Sequence, residues 1–220
     1  MAKIERTTVG EKVSSYVESR EKILITILVV LVVAIVSYVV CVSAISKSNE
    51  KGLAALDAIE YSLTMNSSDL SEEDLEARRA VAIANLQPYV AKSRVVGVRA
   101  NLLAGEISYS KKDYQASAKY YFTAAEKDKK AYTAPIAYFN AGVSFENVED
   151  FENAEKCYKA ASESPDFLSA AHAYFSLGRV RESMGNVEGA IEAYKALNDK
   201  SPDSSWGNLA KSRLIALENN

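Results

Sequence analysis

Three glycines, Gly105, Gly142 and Gly178, stand 37 and 36 residues apart, and each heads the same constellation of small and bulky residues. Around the second, the chain reads Tyr138-x2-Ala141-Gly142-x2-Phe145, then Ala154-x3-Tyr158 and Ala161. Around the third it reads Tyr174-x2-Leu177-Gly178, then Ala190-x3-Tyr194, Leu197 and Pro202. The first is looser, with Asn101, Gly105, Ser117, Tyr121 and Ala124. Three registers in phase at such a period indicate an array of stacked helix pairs, because one pair cannot bury its apolar face alone. On this reading Gly142 and Gly178 let the second helix of each pair approach the first. Ala154 and Ala190 are the small partners on that second helix, and the tyrosines fill the space between neighbouring pairs.

The pattern resembles that of the tetratricopeptide-repeat family over about residues 94–204. The resemblance implies an all-α fold, a tetratricopeptide-repeat α-solenoid in which helix pairs wind into a right-handed superhelix, and a role as a binding scaffold. The pairs are expected at 94–110 with 113–127, 134–147 with 150–163, and 167–184 with 187–199. Thr133 is the expected N-cap of the second pair, and Pro135 is tolerated in its first turn. A last helix, 205–220, carries Trp206, Leu209, Leu214 and Leu217 and is expected to cap the stack.

A second feature sets the chain's surroundings. Residues 23–46, among them Ile23, Leu31 and Val42, contain no charge. About 20 apolar residues cross a hydrocarbon core as a helix, so this run is expected to be a single transmembrane anchor. Its apolar core is longer than the roughly 7–15 residues of a signal peptide, which predicts an uncleaved span. Lys3, Arg6, Lys12, Arg20 and Lys22 precede it, whereas Lys47 and Lys51 follow. Positive residues remain in the cytoplasm, so residues 1–22 read as a short cytoplasmic tail, with the repeats on the other side of the inner membrane.

The first ten residues are expected to be disordered, with an amphipathic helix from Val13 onward through Tyr16 and Val17. Residues 47–93 read as a helical hairpin covering the solenoid. Its first helix, 49–65, places Leu53, Leu56, Ile59 and Leu63 on one face and breaks at Asn66. Its second opens at a capping box, Ser71 to Asp74, carries Leu75, Ala82 and Leu86, and is expected to stop before Pro88.

The net charge of −3 shows no basic footprint for nucleic acid. Cys41 and Cys157 are too few for a disulfide framework or a metal site and read as packing residues. The one histidine, His172, lacks a neighbouring nucleophile, and no phosphate-binding glycine loop occurs. No enzyme, cofactor, metal or small-molecule substrate is expected.

What the family resemblance adds is a groove lined by the first helix of each pair. Placed on this sequence, it comprises Arg99, Leu102, Glu106 and Tyr109, then Ile136, Phe139, Asn140 and Val143, then His172, Phe175, Ser176 and Arg179. Phe139 and Phe175 are either exposed anchors or core. Only Asn140 matches the carboxylate clamp that some of these grooves carry, so an extended or helical segment of another protein is the expected occupant. Basic tail, single span, cover and three pairs together resemble the YfgM-like ancillary subunits of the bacterial secretion translocon. That resemblance implies partners among translocon subunits, periplasmic chaperones and secreted clients. An adaptor in envelope assembly and an organelle import receptor are the alternatives.

Overall fold

Among the described residues every regular element is helical. The computed structural model describes residues 8–219, the side chains of Glu11, Lys12, Ser15 and Ser19 excepted. Ten α-helices follow in order: α1 Val9–Ser19, α2 Glu21–Thr64, α3 Glu72–Val90, α4 Arg94–Ser110, α5 Tyr114–Lys127, α6 Ala134–Asn147, α7 Phe151–Ser162, α8 Ala170–Ser183, α9 Val187–Lys200 and α10 Ser205–Glu218. The chain divides into two units, after Lys51.

In the first unit, α1 begins at Val9, earlier than Val13, because Val9 already lies on the face of Val13 one turn on. The expectation of disorder is thus corrected for Val9 and Gly10, and for residues 1–7 it lies outside the described residues. From residue 21 to 44 every side chain of α2 is exposed, on all sides of the helix. This stretch is long and apolar enough to cross a membrane. Cys41 is exposed there. Cys157 is buried, and burial pushes its thiol up to about 12.

Helix α2 continues without a break to Thr64, where Asn66 turns the chain in a left-handed conformation. Nothing between Ser43 and Lys51 breaks a helix, so the run and the first cover helix are one element. The Arg78 guanidinium donates to the carbonyls of Ser62 and Met65 at 3.3 and 2.6 Å, satisfying groups that a helix end leaves free. The cover is less a hairpin than two helices that meet on a third: Leu56 and Ile59 of α2, Ala82 and Leu86 of α3 and Val96, Ala100 and Leu103 of α4 form one core.

Ser71 caps α3 as the sequence indicates, accepting from the Asp74 amide at 3.2 Å. The helix does not stop before Pro88, however, but runs through it to Val90. A proline so near the end forfeits one backbone bond, while Tyr89 and Val90 pack on the core and Asn101 donates to the Val90 carbonyl at 2.8 Å.

The three pairs lie close to their expected bounds. Each pair turns through one residue in the left-handed region, Lys112, Glu149 or Gly185, followed by a side-chain cap. Asp113, Asp150 and Asn186 accept from the amides of Ala116, Asn153 and Gly189. Thr133 occupies the N-cap position of α6 but its side chain caps nothing, because its backbone is already helical. Helix α8 starts at Ala170 rather than 167, after a turn at Phe167.

Packing inside a pair extends the sequence reading. A Cβ at Gly142 would lie 2.8 Å from the ring of Tyr158, and one at Gly178 would lie 2.5 Å from Tyr194. The tyrosine therefore fills the glycine's gap within its own pair as well as packing on the next element, Tyr158 on Leu177 and Val180 and Tyr194 on Ala210. Ala154 joins the core that Tyr158 shares with Leu177 and Val180. At the end of the stack Trp206, Ala210, Leu214 and Leu217 cover Tyr174 and Leu197. Leu209 is exposed, since Ala210 takes the buried position beside it.

Candidate protein-binding groove

Helices α4, α6 and α8 are the first helices of the three pairs, and the face they share is built from residues that recur one pair later. Glu146 and Glu182 stand four residues, about one turn, beyond Gly142 and Gly178. The Tyr158 hydroxyl donates to Glu146 at 2.8 Å, and the Tyr194 hydroxyl donates to Glu182 at 2.6 Å. From the following helix, Arg179 donates to Glu146 through both terminal nitrogens, at 2.5 and 2.9 Å. Arg213 of α10 donates to Glu182 through Nε, at 3.1 Å, and through one terminal nitrogen. Tyrosine, carboxylate and guanidinium thus form a ladder of two rungs, one tying the second pair to the third and the other tying the third pair to α10.

The charges in this ladder are matched. Burial works against the charged form of Glu182, but Arg213 and the Tyr194 hydroxyl outweigh it and hold the carboxyl below the usual carboxylate range. Burial and the neighbouring carboxylate push the Tyr158 and Tyr194 phenols well above their ordinary value, so both remain donors. Two pockets open along the rungs. One, of about 440 Å³, is lined by Val143, Glu146, Asn147, His172, Ser176 and Arg179. The other, of about 490 Å³, is lined by Phe175, Arg179, Glu182, Ser183, Tyr194 and Arg213.

The sequence-indicated residues divide between these pockets and other places. Val143, His172, Ser176 and Arg179 share the first, and Phe175 borders the second. Asn140 is half-buried and Ser176, one pair on, is buried. Phe139 is half-buried among the rings of Tyr158, Phe167 and His172, with centroids at 5.6, 6.1 and 4.7 Å. Phe175 is half-buried against Tyr194 and Trp206 at 5.5 and 5.3 Å. The His172 ring stacks on Trp206 at 3.9 Å and 8°, and burial together with Arg179 lowers its pKa.

Five residues lie elsewhere. Arg99 is paired with Asp57 and Glu60 of α2. Leu102 packs into the core between α5 and α6. Glu106 lines a third pocket, of about 420 Å³, with Leu63, Arg78 and Ile107. Ile136 is exposed near the start of α6, and Tyr109 is exposed with its ring edge-on to Tyr114 at 5.2 Å. Sequence reasoning missed Glu146, Glu182 and Arg213. The interval Gly-x3-Glu, present at Gly142 and Gly178 and replaced by Tyr109 after Gly105, is the signal that could have found the first two.

Residues 137–205 match the family model described as tetratricopeptide repeat. The match runs from within α6 to the first residue of α10. No curated protein matches the chain. The protein contains tetratricopeptide repeats, and its helix pairs form an all-α solenoid of that kind. Such repeats are scaffolds for protein–protein interaction.

Proposed function

We propose that the protein is a scaffold held in the bacterial inner membrane by α2, with its repeats on the periplasmic side. There the face of α4, α6 and α8 receives extended or helical segments of other proteins beside the secretion translocon. The observation that carries the binding surface is the ladder of Glu146–Arg179 and Glu182–Arg213 with a pocket at each rung. Matched charges flanking recurrent pockets suit a segment that lays side chains into successive cavities. The membrane assignment is supported by the charge-free stretch of α2, exposed on every side, since a core helix of a soluble protein would be covered. Its orientation is supported by five Lys and Arg before the span against two after it. The translocon setting is supported by the order of tail, span, cover and three pairs.

The test combines topology with capture. Protease added to intact spheroplasts should digest the repeats and leave a small protected fragment. A photoreactive residue at Asn147 or Ser183, both exposed beside the pockets, should then crosslink to protein partners, whereas one at Lys195 on α9 should not. Protected repeats would reverse the orientation. Crosslinks from Lys195 alone would move the binding surface to the second helices.

A further inference from the structure

We infer that α1 is an interfacial helix, lying along the membrane surface with its apolar stripe in the headgroup region next to the span. Val9, Val13, Tyr16 and Val17 are all exposed, at 80, 57, 57 and 45 %. At about 100° per residue they fall within one arc of roughly a quarter-turn, while Ser14 and Glu18 fall outside it. Among the described residues no other helix buries the three valines of this stripe. A single residue, Arg20, separates α1 from α2, and the apolar run of α2 begins two residues further on, at Ile23. A span in lipid therefore tethers the stripe, which begins six residues before Ile23 at Val17, next to the bilayer surface, and that tether is what identifies lipid as its cover.

Three valines and a tyrosine are a modest apolar surface, and free in solution such a helix would bind lipid weakly. Covalent attachment to the span changes this, because docking becomes an intramolecular step at high effective concentration. Tyr16 suits the position, with an apolar ring and a polar tip at the water boundary. The Arg20 guanidinium sits 5.3 Å from its ring centre, where it can reach headgroups while the ring stays in the apolar layer. Across the helix and its junction, Lys12, Arg20 and Lys22 are offset by Glu11, Glu18 and Glu21. The inferred docking is therefore driven by the apolar stripe and does not depend on anionic lipid.

This inference rests on the reading of α2 as a membrane span, so the experiment tests both with separable outcomes. The full chain, with Cys41→Ser and Cys157→Ala, would carry single labelled cysteines at Val13, Val17, Ser14, Glu18 or Leu31, in phosphatidylcholine nanodiscs containing a lipid-borne quencher. Leu31 should be quenched most strongly. Val13 and Val17 should be quenched at the shallow depth of the headgroups, and quenching should drop several-fold at Ser14 and Glu18. If Leu31 is quenched while Val13 and Ser14 remain alike and unquenched, the interfacial helix is overturned and the anchor stands. If Val13 and Ser14 are quenched as deeply as Leu31, α1 belongs to the span and the inference also fails. Absence of quenching at Leu31 would overturn both. Quenching at Val13 that appears only when phosphatidylglycerol is added would replace the apolar mechanism with an electrostatic one.

Discussion

The ring of Tyr194 stands where a side chain at Gly178 would begin, with its nearest carbon 2.5 Å from the place a Cβ would take. Tyr158 stands in the same relation to Gly142 at 2.8 Å, and Tyr121 to Gly105 at 2.9 Å. Two effects of a Gly→Ala change oppose each other here. Alanine is favoured in a helix interior by about 1 kcal/mol, while forcing a methyl into a filled core costs about 1–3 kcal/mol. The buried rings cannot swing into solvent, so sterics should win. Gly178→Ala is expected to lower the urea midpoint most and Gly105→Ala least. A higher midpoint for Gly178→Ala would show that propensity outweighs the contact.

The left-handed turn residues should respond in the opposite sense. Lys112 and Glu149 adopt φ of 60 and 58°, where a Cβ is unfavourable, and Gly185 adopts 75°. Lys112→Gly and Glu149→Gly should each raise stability, by a few tenths to about 1 kcal/mol, the relief of strain exceeding the added entropy of the unfolded chain. Gly185→Ala should lower stability by about 1 kcal/mol or more. Melting curves of the three variants decide this, and a loss of stability in Glu149→Gly would refute it.

Acid should loosen the rung at Glu182. Its folded pKa is held below the ordinary carboxylate value, so it stabilises the fold above the pKa of the unfolded chain. The contribution is lost as pH falls through the lowered folded value, where both states become protonated. Arg213→Ala removes the main stabilising partner and should flatten the fall of melting temperature between about pH 5 and pH 3. An acid limb identical to that of the unaltered chain would exclude Glu182 from it.

Trp206 is the only tryptophan, and its stack on His172 makes its fluorescence a reporter of that contact. Burial and then Arg179 lower the His172 pKa from 6.5, so neutral imidazole persists to lower pH than in the unfolded chain. An imidazolium quenches indole emission, so emission should fall only at a pH below the ordinary histidine value, and stability should fall alongside it. His172→Phe should abolish the step. A step centred above 6.5 would contradict the buried stack.

Phe139 and Phe175 should affect folding before binding. Each is half-buried among rings, so replacement by alanine should cost about 2 kcal/mol, below the roughly 3–5 kcal/mol of a fully buried phenylalanine. Tyr109→Ala, by contrast, alters a side chain that is 38 % exposed and should leave the melt within about 0.5 kcal/mol. Partner recovery that falls for Tyr109→Ala with an unchanged melt would place Tyr109 in the contact surface. Unchanged melts for Phe139→Ala and Phe175→Ala would show the rings to be surface anchors.

The spacing of Gly105, Gly142 and Gly178 was enough to place six helices to within a few residues, because a helix and its turn are written in neighbouring positions. Asp113, Asp150 and Asn186 show this most plainly, each capping a helix from the last position of a three-residue turn. The site was less legible. Arg179 meets Glu146, and Arg213 meets Glu182, across 33 and 31 residues, and no local rule couples such positions. Periodicity put Leu102 on the binding face because it lies three residues before Gly105, as Phe139 does before Gly142. Packing with Tyr138 draws it into the core instead. Pro88 misled for the same reason in reverse: tertiary contacts at Val90 outweigh a local preference.

From α4 to α9 the main contacts of each helix are with its neighbours in the chain. In such an arrangement cooperativity is a property of junctions, as in a one-dimensional lattice, and no central core enforces all-or-none unfolding. Amide exchange should therefore grade along the array, quickest where α10 closes the end and slowest in the middle. A partner segment spanning both rungs would couple junctions that otherwise open separately. Occupancy would then be felt first as a change in how many helices fray together, before any change in where they sit.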